Sequence, residues 1–183
     1  MKHRRRKFVS LIPKNARIVE VGVHLGDFSE RLIEDCAPRE LHLIDPWKIV
    51  EKPEYEKALY GGDTSQAEMD SRYQRVIERF REQIGAGQVK VHRAVSAEVE
   101  GEIGEVDLVY LDGDHTYDGV RSDLELWWPH LPVGGRIAGD DYALGGWWGD
   151  GVVRAIGEWC ARPDVLIEWK MRDQIILKKR KMP

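Results

Sequence analysis

Cysteine is scarce: Cys36 and Cys160 are the only two in 183 residues. Neither lies in a CxxC pair or at a metal-ligand spacing from histidine, which argues against a disulfide framework and against structural zinc. Both sit at apolar positions of helical patterns, so buried thiols in a reducing compartment, the cytoplasm, are the expectation. Long apolar runs are also missing. Nothing approaches the roughly 18 residues of a membrane span, and "MKHRRRKFVSLIP" lacks the apolar region of a signal peptide. There is no internal repeat, no low-complexity tract and no G-x-G-x-x-G. A broadly basic surface is absent too. The net charge is −4, and without Lys2, Arg4, Arg5, Arg6, Lys7, Lys178, Lys179, Arg180 and Lys181 it becomes −13. An acidic body with basic ends disfavours an extended nucleic-acid surface, and terminal charge runs are usually solvated.

What is present is alternation. With 42% hydrophobic residues, the chain is expected to form one domain over 1–183, with 1–7 as a basic arm. "ARIVEVGV" reads as a buried strand, and "DFSERLIEDCA" as a helix with Asp27 as N-cap and Glu30 at the capping-box spacing. "ELHLID" is a second strand ended by Pro46, after which residues 46–63 read as a lid-like loop. Tyr73, Val76, Ile77, Phe80 and Ile84 keep a helical period that "GAG" stops. "QVKVHRAV", "EVDLVYLD" and "GGRIAGDD" supply three more strands, and "VLIEWKM" with "QIILKK" a closing hairpin. Val120, Leu124, Trp127, Trp128 and Leu131 share one helical face, which makes the two tryptophans core residues. This order predicts an α/β, Rossmann-like three-layer sandwich around a mostly parallel seven-stranded sheet with an antiparallel last strand. Ligands of such sheets bind beyond the C-terminal strand ends, so polar residues there are the site candidates.

At the end of the first strand, Gly22 and Gly26 flank a turn before a helix N-terminus, where backbone N–H groups are free for a ligand. Asp45 ends the second strand about twenty residues on, where an acid can accept from ribose hydroxyls; a polar strand cap is the plainer alternative. Glu20 suits a cationic cofactor better than a pyrophosphate. Asp112 ends the fourth strand, and Asp140 and Asp141 the fifth. Neighbouring strands lie about 4.8 Å apart, so these carboxylates can converge on one ion. Three oxygen ligands without cysteine suit Mg²⁺, Mn²⁺ or Ca²⁺. Taken alone, "DGDH" is equally well a polar turn. Trp147 and Trp148, on a glycine-rich loop after the acid pair, can fold over a sugar or aromatic ring, or serve equally well as an oligomer contact or core packing.

The stretches "VEVGVHLGDFS", "LHLIDPW", "LVYLDGDHTYDGVRSDL" and "GGRIAGDDY" resemble motifs of class I S-adenosylmethionine-dependent methyltransferases over roughly residues 16–180. In particular they are similar to the metal-dependent O-methyltransferases, both the catechol and caffeoyl-CoA type and the sugar-modifying type. The resemblance implies S-adenosylmethionine as cofactor, with Gly22 and Gly26 at its methionine end, Asp45 at the ribose and Ser96 at the adenine. It implies a divalent metal on Asp112, Asp140 and Asp141, with Asp112 also bordering the cofactor, and a small hydroxylated acceptor, a sugar or a catechol-like ring. The catechol type has Asp-Asn where this chain has Asp140-Asp141, and a lysine where it has His115. A neutral imidazole is a competent general base, so the role is transferable to His115; Asp118 is expected to cap the following helix. An RNA-modifying enzyme, a non-catalytic nucleoside-binding module and a metal-dependent phosphoesterase are the competing classes.

Overall fold

The computed structural model describes residues 9–182, so the basic arm at 1–7 lies outside the described residues. The strands are β1 (Arg17–Val21), β2 (Glu40–Ile44), β3 (Val89–His92), β4 (Leu108–Leu111), β5 (Arg136–Gly139), β6 (Val165–Met171) and β7 (Gln174–Lys179). They form one sheet in the order β3-β2-β1-β4-β5-β7-β6. The first five are parallel, and β7 runs antiparallel between β5 and β6. β4 (LVYL) is wholly apolar and β1 is buried from Ile18 to Val21, because helices cover both faces of the central strands.

The helices are α1 (Asp27–Cys36), α2 (Gln66–Arg79), α3 (Arg81–Gly85), α4 (Ser96–Ile103), α5 (Tyr117–Trp127) and α6 (Gly151–Trp159). On one face of the sheet, Val109, Leu124, Trp127, Ile137 and Trp159 pack together. On the other, Ile18, Phe28, Leu32, Val76 and Tyr110 form the second layer. Trp127 and Trp128 are buried as expected, and the Trp128 indole N–H donates to Asp164 at 2.7 Å. No helix among the described residues is long and apolar enough to cross a membrane.

Several local expectations are corrected. Asp27 does not cap α1; Gly26, at φ 77°, holds the cap position without a side-chain bond. Asp27 and Glu30 both reach Arg79 of α2 instead, at 2.6 and 2.7 Å, so a contact between helices replaces the capping box. The long helix after Ser65 breaks at Phe80, whose ring is buried beneath Gly26. α4 is a further helix that periodicity does not announce, since its stripe is only Val99 and Ile103 around Gly101. Thr116, not Asp118, caps α5, accepting from the Gly119 N–H at 3.1 Å. The basic run near the C-terminus is not a frayed end: Lys178 pairs with Glu168 on β6, and Lys179 donates to the carbonyls of Trp128 and Leu131.

The strand order reverses between β1 and β4, and there the two C-terminal turns touch. The Gly22 N–H donates to the Ile44 carbonyl at 2.9 Å, and the Asp112 N–H to the Val21 carbonyl at 2.8 Å. Gly22 has φ 87°, and a Cβ there would run into the Asp112 carbonyl, so only glycine allows this approach.

Candidate active site

A cleft of about 920 Å³ opens at this reversal, walled by the ends of β1, β2 and β4, the N-terminal parts of α4 and α5, and the 46–63 segment. All the sequence-predicted cofactor residues except Gly26 line it: Glu20, Gly22, Asp45, Ser96 and Asp112. Gly26 sits behind the turn, where its missing side chain makes room for Phe80; a Cβ would lie 2.6 Å from that ring.

Asp45 is committed largely to the backbone. One carboxylate oxygen accepts from the N–H groups of Val23 and His24, both at 3.0 Å, and the other from Trp47 at 2.8 Å. The strand-cap reading therefore holds, and about one of the four acceptor sites of a carboxylate remains for a ligand. These bonds hold the turn in shape against its own geometry, since His24 and Trp47 have φ of 54° and 41°. The Trp47 indole then donates to the His24 carbonyl at 3.0 Å.

At the other end of the cleft the acids separate. Asp141 has φ 54°, a left-handed turn that a short polar residue tolerates. Its carboxylate faces Asp112, and His115 lies between them, with Nε2 3.5 Å from Asp112 and 3.2 Å from Asp141. These three residues offer ligand atoms that all lie within 4.8 Å of one another. Asp140 is not among them. It is buried and accepts from the Tyr110 hydroxyl at 2.9 Å and from the Asp141 N–H at 3.1 Å. Of the expected trio the structure brings Asp112 and Asp141 together with His115, and turns Asp140 away from them. Burial disfavours charge on His115, but Asp112, Asp141 and Asp114 outweigh it and raise the imidazole above its ordinary range. The two carboxylates fit a divalent cation, and the buried His115 Nε2 lies between them.

An aromatic wall stands over His115. Trp148 lies 4.9 Å from its ring and Trp147 5.9 Å. Gly146, at φ 65°, lets the Trp148 ring fold back, where any Cβ would strike it. Tyr55 and Tyr60 of the 46–63 segment meet Trp147 at 5.5 and 6.0 Å. The Tyr55 hydroxyl donates to Asp114 at 2.8 Å, and the other oxygen of Asp114 accepts from the Thr116 N–H. Burial, reinforced by Asp114, pushes the Tyr55 phenol up to about 12. Sequence reasoning missed both tyrosines, which belong to no periodic pattern; Tyr55 bonds a partner 59 positions away, and Tyr60 meets Trp147 across the cleft. It also missed Asp123, which lines the cleft from α5.

The fold and cleft define a nucleoside-binding α/β enzyme of the type whose ligand sits where the strand order reverses. Residues 19–142 match the family profile described as a methyltransferase domain, and the chain belongs to that family. It is an S-adenosylmethionine-dependent methyltransferase. No curated protein matches it. Among solved structures it is similar to an O-methyltransferase from Bacillus cereus in complex with SAH, at 16% identity and TM-score 0.66, over 99% of this chain and 82% of that one. It is similar to the O-methyltransferase NovP at 19% identity and TM-score 0.64, over 95% and 75%. It is also similar to a protein provisionally named an rRNA-methylase from Clostridium thermocellum, at 12% identity and TM-score 0.64, over 96% and 95%. At these identities the likeness establishes the fold, which serves more than one kind of acceptor.

Proposed function

We propose that the chain is a divalent-cation-dependent O-methyltransferase acting on a hydroxyl of a small polyhydroxylated acceptor, a sugar or a catechol-like ring. The observation that carries this is the placement of His115 between Asp112 and Asp141 at the mouth of the cleft, beneath an aromatic wall. S-adenosylmethionine supplies the electrophilic methyl group, and Asp112 and Asp141 would hold a divalent cation that would lower the pKa of an acceptor hydroxyl.

The chain's own residues do the rest. A cation there would compensate the two carboxylates, and His115, when neutral, is placed to accept the hydroxyl proton at Nε2. Trp147, Trp148, Tyr55 and Tyr60 exclude water and offer flat apolar faces to a ring, which fixes its approach. Gly22 and Gly26 shape the turn beside which the methionine arm lies, and Glu20 faces its ammonium.

The test is methyl transfer to a panel of catechols and sugars, with Mg²⁺ or Mn²⁺ and with EDTA. Turnover is expected with the cations and lost with EDTA; full activity in EDTA removes cation dependence. The acidic body disfavours RNA as acceptor, and transfer to RNA but to no small hydroxylated compound would replace this reading.

A further inference from the structure

The 46–63 segment carries a polar group that the fold does not use. Tyr60 lines the cleft, yet its hydroxyl oxygen is buried and has no hydrogen-bond partner among the described residues. The backbone around it is fixed on both sides. The Val50 N–H donates to the Tyr60 carbonyl at 2.9 Å, and Arg72 of α2 donates to the Leu59 carbonyl at 2.7 Å. An unpaired buried hydroxyl is costly, and folded proteins complete such groups with protein, water or a ligand.

Position decides which ligand. The Tyr60 ring meets Trp147 edge-on at 6.0 Å and Tyr55 at 5.5 Å, so it belongs to the wall that stands over His115. Burial pushes its phenol far above the ordinary range, and Asp114 adds more to this than Asp45 at the ribose end does. Asp114 accepts from the Tyr55 hydroxyl on one oxygen and from the Thr116 N–H on the other. About two of the four acceptor sites of its carboxylate remain. A donor and a carboxylate therefore face the same end of the cleft, the end where the methyl acceptor enters.

We propose that the Tyr60 phenol donates to a second hydroxyl of the methyl acceptor, one that is not methylated, and that this hydroxyl donates in turn to Asp114. The assignment rests on the cleft methylating a polyhydroxylated compound, and it narrows that class to acceptors with a further hydroxyl at this place. A hydroxyl both accepts and donates, so it completes the phenol and the carboxylate together. A hydrogen atom in its place leaves both incomplete. The grip is the same before and during methyl transfer, so it acts on KM and not on kcat.

The test is methyl transfer by the full chain to catechol against phenol, and to a methyl glycoside against its deoxy analogues, each deoxy compound read as substrate or as competitive inhibitor. The wild type is expected to favour the diol by at least about tenfold. Tyr60→Phe should raise KM for the diol by about two- to tenfold, the worth of one hydrogen bond, and leave kcat and the deoxy compound nearly unchanged. Its thermal midpoint without ligand should hold or rise, because an unpaired buried hydroxyl is removed. Asp114→Asn should lower the preference for the diol as well. An unchanged diol-to-deoxy ratio in Tyr60→Phe overturns the proposal even where diols are methylated, and a fallen midpoint with that ratio makes the phenol structural. An unchanged ratio in Asp114→Asn removes Asp114 from it. Calorimetric titration with S-adenosylhomocysteine supplies the last arm: an equal loss of affinity in Tyr60→Phe assigns the phenol to the cofactor and overturns the proposal. Transfer to no diol at all overturns the proposed function itself.

Discussion

Asp140 and Asp141 are adjacent and chemically alike, yet they do different work because the chain turns left-handed between them. Asp141 reaches the cleft, while Asp140 turns inward to Tyr110. Asp141→Ala or Asp112→Ala is therefore expected to abolish cation-dependent turnover and cation binding by calorimetry. Asp140→Asn should retain one bound cation per chain while losing about 1–3 kcal/mol of stability in urea unfolding, because a buried charge-assisted bond from Tyr110 is weakened. Loss of the cation in Asp140→Asn with stability intact would return Asp140 to the ligand set. A second residue-scale effect lies at the sheet edge, where His42 Nδ1 and His92 Nε2 are 3.0 Å apart. Burial drives His42 from 6.5 to about 4, against the pull of Glu40. The unfolded chain then binds a proton that the folded chain refuses, so this contribution to stability is complete above pH 6.5 and is lost as the pH falls toward 4. Between pH 7 and 5 the loss is of order 2 kcal/mol. His42→Gln should flatten that part of the urea midpoint's pH profile; an unchanged slope would assign the acid sensitivity to other groups.

At the scale of elements, the 46–63 segment is an irregular loop with one short 3₁₀ turn, Pro53–Tyr55. It is tied down by Trp47, fully buried, and by the Tyr55 bond to Asp114. Tyr55→Phe keeps the ring in the aromatic wall and removes only that bond, so global stability should change by about 1 kcal/mol or less. Hydrogen exchange of the segment's amides should quicken clearly, and uniform exchange across the protein would show that the bond does not restrain the loop. Much at this scale was legible beforehand. The mostly buried runs of β1, β2, β4 and β5 announce strands because helices cover both faces of the sheet there. α4 was illegible because two apolar residues around a glycine make no stripe. The cap at Asp27 was misread because the competing partner, Arg79, lies 52 positions away on another helix. Thr116 was passed over for Asp118 because both are good caps, and the choice depends on how Asp114 fastens the Thr116 N–H.

The whole molecule joins these parts through one topological fact, the reversal of strand order between β1 and β4. A ligand in the crevice there touches several elements at once and binds the folded chain but not the unfolded one. At about a hundred times its dissociation constant, S-adenosylhomocysteine should add roughly 2.7 kcal/mol, which for a chain of this length is a rise of roughly 5–10 °C in the unfolding midpoint. No shift at saturation would detach the cleft from the cofactor. The glycine turn, the strand-end acids and the alternation of strands and helices were determined by sequence alone, because each is a local pattern of polarity and backbone freedom. Which acids face one another, that His115 lies between them while Asp140 turns inward, and that Tyr55, Asp114 and Asp123 join the cleft were decided only by tertiary structure. Those contacts depend on the direction a side chain takes from one left-handed residue and on segments dozens of positions apart meeting across the sheet, and no local pattern encodes either.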